Sequence, residues 1–159
     1  NLAIGQGFLE ATPLQMAVAY AAIANGGDLL QPYLVSHLIA PDGSVVQVGG
    51  RVTRGRAPVS STTIAALQAA LRDQASNAWG AGSARVFADF WWPIAGKTGT
   101  AQNQITPGKK PHSWYAAFGP YGEQATIASA VAIESVGEGV GFAAPVTRAI
   151  YEAYVREDS

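Results

Sequence analysis

Cysteine is absent from the 159 residues of this chain, which excludes disulfide bonds and thiol catalysis. Charged residues are scarce, at 13% of the sequence, where ordinary domains have about 25%. The net charge of −1 comes without a basic run, which argues against nucleic acid as a partner. No apolar stretch approaches the roughly 18 residues of a membrane helix, so we expect the chain itself to be soluble.

Metal-binding side chains are also scarce. The chain has two histidines and no cysteine, and neither an H-E-x-x-H motif nor carboxylates clustered at ligand spacing occur. We therefore expect no metal and no other cofactor. Hydrophobic residues make up 48% of a chain whose length suits one ordinary domain. With so few charges, part of its surface is expected to meet a partner.

The most informative segment runs from Ala95 to Gln102, with the sequence AGKTGTAQ. It combines one cation with two hydroxyls and two glycines, a combination typical of anion recognition. Apolar residues 91–94 lead into it, which favours a half-buried strand over a helix start. Gly99 leaves room for a ligand or another backbone to approach closely.

Side chains alternate in direction along a strand. Lys97 and Gly99 are therefore predicted to share one face, and Thr98 and Thr100 the other. A sheet edge can turn both faces toward one cleft. Two other interpretations of this segment must be considered. A phosphate-binding P-loop requires a glycine where Trp91 stands, so it fails, whereas an ordinary solvated surface strand stays open on these residues alone.

Lys-Thr-Gly is the third motif of the penicillin-recognising serine enzymes, beside S-x-x-K and S-x-N. Other segments resemble the same family: Ala3–Gly7 (AIGQG), Thr12–Ala17 (TPLQMA), Ala22–Gly27 (AIANGG), His112–Pro120 (HSWYAAFGP) and Phe142–Val146 (FAAPV). The chain thus resembles a penicillin-binding protein transpeptidase domain over nearly its whole length. The form KTGTAQ is similar to class B enzymes of the elongation branch, and class A enzymes, which usually read KTGTT, rank second.

Two motifs of that family are missing. No serine here is followed three residues later by lysine or two residues later by asparagine. We therefore expect residues 1–159 to be the C-terminal portion of one transpeptidase domain, truncated before residue 1 and inactive alone. A non-enzymatic β-lactam sensor or inactive homologue is the alternative, and a simple interaction module ranks third. The segments Gly5–Gly7 and Thr12–Pro13 favour the enzyme, since they resemble transpeptidases.

The resemblance implies a role for each residue of the motif. Lys97 and Thr100 are expected to be catalytic, Lys97 through its charge and Thr100 through its backbone N–H in an oxyanion hole. The hydroxyls of Thr98 and Thr100 are expected to bind the carboxylate of a peptidoglycan stem peptide or a β-lactam. Gly99 and Gln102 complete the predicted binding residues, although a glutamine at a strand end is equally consistent with solvation.

Other polar and aromatic residues are interpreted as structural. His112 is predicted to pack or to start a strand, because the family takes protons with the lysine of S-x-x-K. His37 is also predicted to be structural. For Trp91, Trp92 and Trp114, core packing is favoured over lining a substrate groove, because an indole buries much apolar area.

The implied fold is α/β (α+β), an antiparallel sheet packed by helices, as in the C-terminal half of the penicillin-binding protein and serine β-lactamase-like fold. Local signals predict three helices. One begins after Thr12 with a capping box and buries Met16, Tyr20 and Ile23. The others start near Ser60 or Ser61 and at Pro145, with the apolar stripes Ile64, Leu67, Leu71 and Val146, Ile150, Tyr154.

The predicted strands are 33–39, 45–48, 94–102, 113–119 and 125–134, and residues 79–85 are predicted to be a loop. The last three strands form the meander, and alanines on one face of strand 125–134 let a helix pack closely. This strand is expected to be an uncovered sheet edge that pairs with the missing half, so the chain is expected to self-associate. The parent protein is expected to be anchored at the extracytoplasmic face of the bacterial membrane.

Overall fold

Four helices and seven short strands make up the part of the chain that the computed structural model describes, residues 5–76, 83–102 and 108–157. The helices are α1 (Pro13–Ala24), α2 (Ser61–Ser76), α3 (Ser83–Phe87) and α4 (Ala143–Glu157). The strands are β1 (Asp28–Leu30), β2 (His37–Ile39), β3 (Val45–Gln47), β4 (Thr53–Arg56), β5 (Ala95–Ala101), β6 (His112–Gly119) and β7 (Ile127–Ile133).

The main sheet is an antiparallel meander in the order β5-β6-β7. Lys97 of β5 lies opposite Ala116, which lies opposite Ala130, and Gly99, Trp114 and Ala132 form the next row. These two rows share one face of the sheet, because directly paired residues point the same way. The predicted meander and the α+β fold with a helix-packed antiparallel sheet are confirmed.

Helix α1 crosses the alanine-rich face of this sheet, against β6 and β7. Its start is the predicted capping box. The Thr12 hydroxyl accepts the Gln15 N–H at 3.2 Å, the Gln15 side-chain oxygen accepts the Thr12 N–H at 2.8 Å, and Pro13 opens the helix. The small Ala116 and Ala132 on the sheet let the helix approach closely, as predicted.

The opposite face carries the hydrophobic core, built from Ala75, Phe87, Ile94, Tyr115, Ala117, Ala143, Ala144 and Tyr151. The stripe predicted for α4 was wrong: Val146 is 42% exposed and Ile150 39% exposed. The helix instead buries the face with Thr147 and Tyr151. The Thr147 hydroxyl donates to the Ala143 carbonyl at 3.0 Å, and the Tyr151 hydroxyl accepts from Ser129 at 3.1 Å. Satisfied polar atoms can be buried, so counting apolar residues chose the wrong face.

Helix α2 begins as predicted, because the Ser60 hydroxyl accepts the Thr63 N–H at 3.1 Å. Ile64 is buried, but Leu67 is 42% exposed, so the predicted stripe is only partly correct. Residues 83–85 belong to α3 and not to the predicted loop. The rest of that predicted loop, residues 79–82, lies outside the described residues.

Two small antiparallel pairs follow α1. The hairpin β2–β3 turns where predicted, at residues 41–44, and the Asp42 carboxylate accepts the Ser44 N–H at 2.9 Å. Residues 33–36, predicted as strand, are not in one. The pair β1–β4 was missed, and an ion pair of 2.8 Å between Asp28 and Arg56 joins its two strands. Strands of three or four residues that contain Asp, Arg and Gly are too short and too polar to show the alternation of apolar and polar residues that predicts a strand.

Strand β7 lies at an edge of the sheet that the described residues form, as predicted for residues 125–134. Its expected pairing with another segment stays a prediction, as does self-association. Within residues 5–76, 83–102 and 108–157, no helix is long and apolar enough to cross a membrane.

Gly96 offers a test of the β5–β6 pairing. A Cβ at Gly96 would lie 2.8 Å from the Ala117 Cβ and 2.8 Å from the Tyr115 hydroxyl. Overpacking costs about 1–3 kcal/mol, so Gly96→Ala is expected to lower the free energy of unfolding by about that amount in denaturant titration. The control is Gly55→Ala in β4, where a Cβ meets nothing within 4 Å. Equal losses in the two variants would contradict the close packing behind β5.

Candidate active-site cleft

A cleft of about 760 Å³ opens between the segment that leads into α1 and the main sheet. Its lining comes from two distant parts of the chain. The first part supplies Gly5, Leu9–Pro13, Met16 and Tyr20, and the sheet supplies Lys97–Ala101, His112, Trp114, Ala116 and Ala132–Glu134. The cleft therefore exists because α1 packs across the sheet on which the Lys-Thr-Gly motif lies.

Four of the five predicted recognition residues meet in this cleft, and Gln102 is the exception. Lys97 and Thr98 alternate in direction along β5, as predicted, since they pair with Ala116 and Tyr115 respectively. Both nevertheless line the cleft, together with Gly99 and Thr100. The reason is the edge position of β5 in the described sheet, which leaves both of its faces accessible along one side.

The Lys97 ammonium lies along the strand rather than away from it. It donates to the Thr98 carbonyl at 3.1 Å and to the Thr98 hydroxyl at 3.3 Å. A hydroxyl has one hydrogen and two lone pairs, so accepting from the ammonium directs the Thr98 hydrogen to another acceptor. Lys97 and Thr98 together thus present positive charge and a polarised donor, which suits a carboxylate.

Thr100 presents its backbone at the outer edge of β5. The Gln6 side-chain amide donates to the Thr100 carbonyl at 2.9 Å, and its oxygen accepts the Gln102 N–H at 3.4 Å. In a strand the N–H and C=O of one residue point to the same side, and the next residue points to the other. The Thr100 N–H is therefore directed to the edge where Gln6 lies. Sequence reasoning missed Gln6, although Gly5–Gly7 had been singled out as a motif.

Gln102 lies at the end of β5, and its exposed side chain is not among the groups that line the cleft. What the structure assigns to it is the backbone hydrogen bond to Gln6. Its role in ligand binding stays a prediction.

His112 lines the cleft, but its ring nitrogen is already engaged. The Nδ1 atom accepts the Ser135 N–H at 3.2 Å, and a nitrogen that accepts carries no proton. The side chain thus ties β6 to Ser135, two residues beyond the end of β7, which agrees with the structural role predicted for it. The neighbouring Ser113 makes a similar tie, donating to the Glu138 carbonyl and accepting the Ala143 N–H, both at 3.0 Å.

The three tryptophans for which core packing was predicted differ in environment, and that prediction is only partly correct. Trp92 packs against Tyr151 and Tyr154, with ring centroids 5.8 and 6.2 Å apart. Trp91 is 74% exposed, so the prediction is wrong there. Trp114 lines the cleft beside Gly99, which is the alternative that had been ranked second.

Several residues that line the cleft away from β5 are apolar or aromatic: Leu9, Met16, Tyr20, Trp114 and Ile133. Burial raises the pKa of the Tyr20 phenol to about 12, so it is neutral at physiological pH. An anion at Lys97 would therefore lie beside an apolar wall, where charge-assisted hydrogen bonds are stronger than in water.

The loop after β7 approaches β5 and β6 from behind at Gly139. A Cβ there would clash with the Trp114 carbonyl oxygen and would lie 2.7 Å from the Gly99 carbonyl oxygen and 3.0 Å from the Gly99 nitrogen. These are backbone atoms, which cannot move aside as a flexible side chain can. Gly139 is therefore required for the loop to support the strand that carries Lys97 and Thr100.

Comparison with known proteins identifies the family. The penicillin-binding protein transpeptidase domain family model matches residues 1–152, and the chain belongs to this family. The predicted resemblance is confirmed.

Two curated relatives carry named activities. The chain is 37% identical to the peptidoglycan D,D-transpeptidase PbpA of Mycolicibacterium smegmatis, over 98% of this chain and 32% of that protein. It is 30% identical to the peptidoglycan D,D-transpeptidase MrdA of Haemophilus influenzae, over 99% of this chain and 26% of that protein. The chain thus spans about a third or less of the length of these relatives.

A solved structure gives the same result. Penicillin-binding protein A from Mycobacterium tuberculosis, as an imipenem acyl-enzyme complex, matches with a TM-score of 0.79 and 36% identity, over 96% of this chain and 32% of that one. Imipenem is a β-lactam, so that protein forms a covalent β-lactam adduct on a fold that this chain shares in part.

Gly139→Ala tests the support of β5. The added methyl group is expected to push the loop from the Gly99–Trp114 pair, so the amides of residues 98–100 should exchange hydrogen faster, measured by exchange mass spectrometry. Gly141→Ala is the matched control, because the nearest atom to its Cβ would be the Glu138 carbonyl oxygen at an ordinary 3.8 Å. Unchanged exchange in Gly139→Ala would show that β5 does not depend on this contact.

Proposed function

We propose that this chain is the ligand-recognition part of a D,D-transpeptidase that crosslinks peptidoglycan stem peptides through a serine acyl-enzyme and binds β-lactams. The observation that carries the proposal is the meeting of Lys97, Thr98 and Thr100 in one cleft at the edge of β5. The D,D-transpeptidase names of the relatives support it. So does the acyl-enzyme formed by penicillin-binding protein A.

Acyl transfer from a peptide ending in a free carboxylate has three requirements: holding the carboxylate, stabilising the oxyanion and supplying a nucleophile. Here the hydroxyls of Thr98 and Thr100 bind the carboxylate. Thr98 is prepared for this by the ammonium of Lys97, which donates to its oxygen. Gly99, between them, leaves the strand without a side chain that would obstruct the ligand.

The Thr100 N–H supplies one donor of the oxyanion hole. Oxyanion donors act because they are fixed before charge develops, and a backbone N–H on a paired strand meets that requirement. Lys97 adds a positive charge that favours the anionic ligand and the developing oxyanion. In this proposal Lys97 and Thr100 are the catalytic residues of the chain, and Thr98, Gly99, Thr100 and Gln102 are the binding residues.

The nucleophile is not supplied by this sequence, which contains no S-x-x-K. We propose that residues 1–159 are the C-terminal portion of one transpeptidase domain, and that the serine motif and S-x-N belong to the same domain of a parent protein. That parent works at the extracytoplasmic face of the bacterial membrane, in the elongation branch. The alternative is a β-lactam sensor or inactive homologue that uses the same strand to bind the drug without turnover.

The chain alone tests the assignment of the nucleophile. After incubation with benzylpenicillin, intact-mass spectrometry is expected to show no covalent adduct, because acylation requires the serine of an S-x-x-K motif, which the chain lacks. A stoichiometric adduct on any residue of the chain would overturn this part of the proposal. In the parent protein, turnover of a stem-peptide substrate separates the enzyme from a sensor, which is acylated without turnover.

Replacing Thr98 or Thr100 by valine in the parent protein tests the carboxylate site. Valine keeps the shape but removes a hydroxyl, and a hydrogen bond to a charged group contributes about 1.5–3 kcal/mol. The rate of acylation by benzylpenicillin is expected to fall roughly ten- to a hundredfold, since each 1.36 kcal/mol corresponds to a factor of ten. Thr53→Val, in the remote strand β4, is the control. Stopped-flow rates unchanged in both variants would mean that the carboxylate is bound elsewhere.

A further inference from the structure

We infer that Gln6 is a positioning residue, which holds the outer edge of β5 so that the Thr100 N–H keeps its direction into the cleft. The inference rests on the proposed function, because that function gives the Thr100 N–H its task. It assigns to the Gly5-Gln6-Gly7 segment a physical role at a site 94 residues away in the sequence.

The Gln6 side-chain amide binds β5 as a neighbouring strand would. Its nitrogen donates to the Thr100 carbonyl at 2.9 Å, and its oxygen accepts the Gln102 N–H at 3.4 Å. One residue of a neighbouring parallel strand makes the same pair of bonds, to the C=O of residue i and the N–H of residue i+2. One side chain thus closes part of an edge that is otherwise a row of outward-directed groups.

The backbone around Gln6 is arranged to aim this side chain. Gly5 and Gly7 have φ values of 71° and 85°, a region that glycine enters at no steric cost. A Cβ at Gly5 would meet nothing within 4 Å, so conformation and not space requires the glycine there. From residue 5 to residue 15, Gln6 alone is partly buried, and the other residues are exposed. Gln6 is therefore the least exposed residue of this segment.

Strand β5 needs such support more than an ordinary strand. Two of its seven residues are glycines, which weaken a strand because they add backbone freedom and no side-chain packing. One of them, Gly99, immediately precedes Thr100, whose N–H is proposed to stabilise the oxyanion. The β6 ladder fixes β5 from one side only, and Gln6 fixes Thr100 and Gln102 from the other.

The experiment compares Gln6→Met with Gln124→Met in the parent protein. Methionine keeps the length of glutamine but removes both hydrogen bonds, and the exposed Gln124 lies outside the strands. In Gln6→Met the acylation rate constant for benzylpenicillin is expected to fall about ten- to a hundredfold. This loss is no larger than the roughly 10²–10³-fold fall in rate that follows removal of a complete oxyanion donor. The dissociation constant of the noncovalent complex is expected to change less than about threefold, because the carboxylate hydroxyls remain.

Two further measurements separate positioning from general damage. The Gln102 amide is expected to exchange hydrogen faster in Gln6→Met, at a melting temperature equal to that of the control. Gly5→Ala keeps the glutamine but strains the backbone that aims it, so it is expected to lower the acylation rate in the same direction. If Gln6→Met does not fold, Gly5→Ala carries the test.

Each outcome bears on one claim. A parent protein that benzylpenicillin does not acylate overturns the proposed function, and the inference with it. If the parent is acylated and Gln6→Met reacts as fast as Gln124→Met, the inference alone is wrong. A weaker noncovalent complex with an unchanged rate constant overturns it as well, since Gln6 would then be a ligand contact.

Discussion

The one-sided pairing of β5 with β6 is the constraint on which the cleft depends. A strand at the edge of a sheet directs N–H and C=O groups outward, and it leaves both of its faces accessible from one side. For this reason Lys97 and Thr98, which alternate in direction, line the same cleft. The same constraint leaves β5 held by hydrogen bonds from one side only, and two glycines among its seven residues weaken it further. The molecule compensates with three contacts to β5: α2 packs against the strand, Gly139 lies behind the Gly99 backbone, and Gln6 binds along the edge.

The chemistry of the cleft follows from how its polar and apolar groups are divided. The ammonium and the hydroxyls lie on β5, whereas Met16, Tyr20 and Trp114 form an apolar wall. A phenol is uncharged at physiological pH even at its ordinary pKa, and burial raises the pKa of Tyr20 further, to about 12, so that wall adds no charge of its own. Glu10 and Glu134 also line the cleft, and their negative charge opposes an anion bound away from Lys97. A ligand with one carboxylate and an apolar body therefore has a preferred orientation, with the carboxylate at β5.

Local signals in the sequence were sufficient for helices α1, α2 and α4, for the three strands of the main sheet and for the motif. The capping box at Thr12, the turn at residues 41–44 and the three-strand meander each depend on residues close together in the chain. Contacts between distant residues were not readable in this way. The buried face of α4 includes Tyr151, which meets Ser129, and the pair β1–β4 joins residues 28 and 56, which are far apart in the sequence. Trp114 lies in the cleft because β6 pairs it with Gly99, a register that the tryptophan itself does not encode. The Lys-Thr-Gly motif could be recognised in the sequence, but the residues that hold β5 in place could not.

The residues that support the motif lie far from it in the sequence for a physical reason. A carboxylate site and an oxyanion donor act through fixed dipoles, whose value lies in being held before the ligand arrives. Residues that hold them need not touch the ligand, and they can lie anywhere in the sequence that folding brings to the strand. Gln6 reaches Thr100 from 94 residues away, and Gly139 reaches Gly99 from the opposite side of the strand. A nucleophile, in contrast, must meet only one atom of the ligand, so it can be contributed by a separate segment. In the proposed function, a chain without S-x-x-K can therefore carry the carboxylate site and one oxyanion donor of an acyl-transfer site, because both lie at the edge of β5 and depend on its three supports.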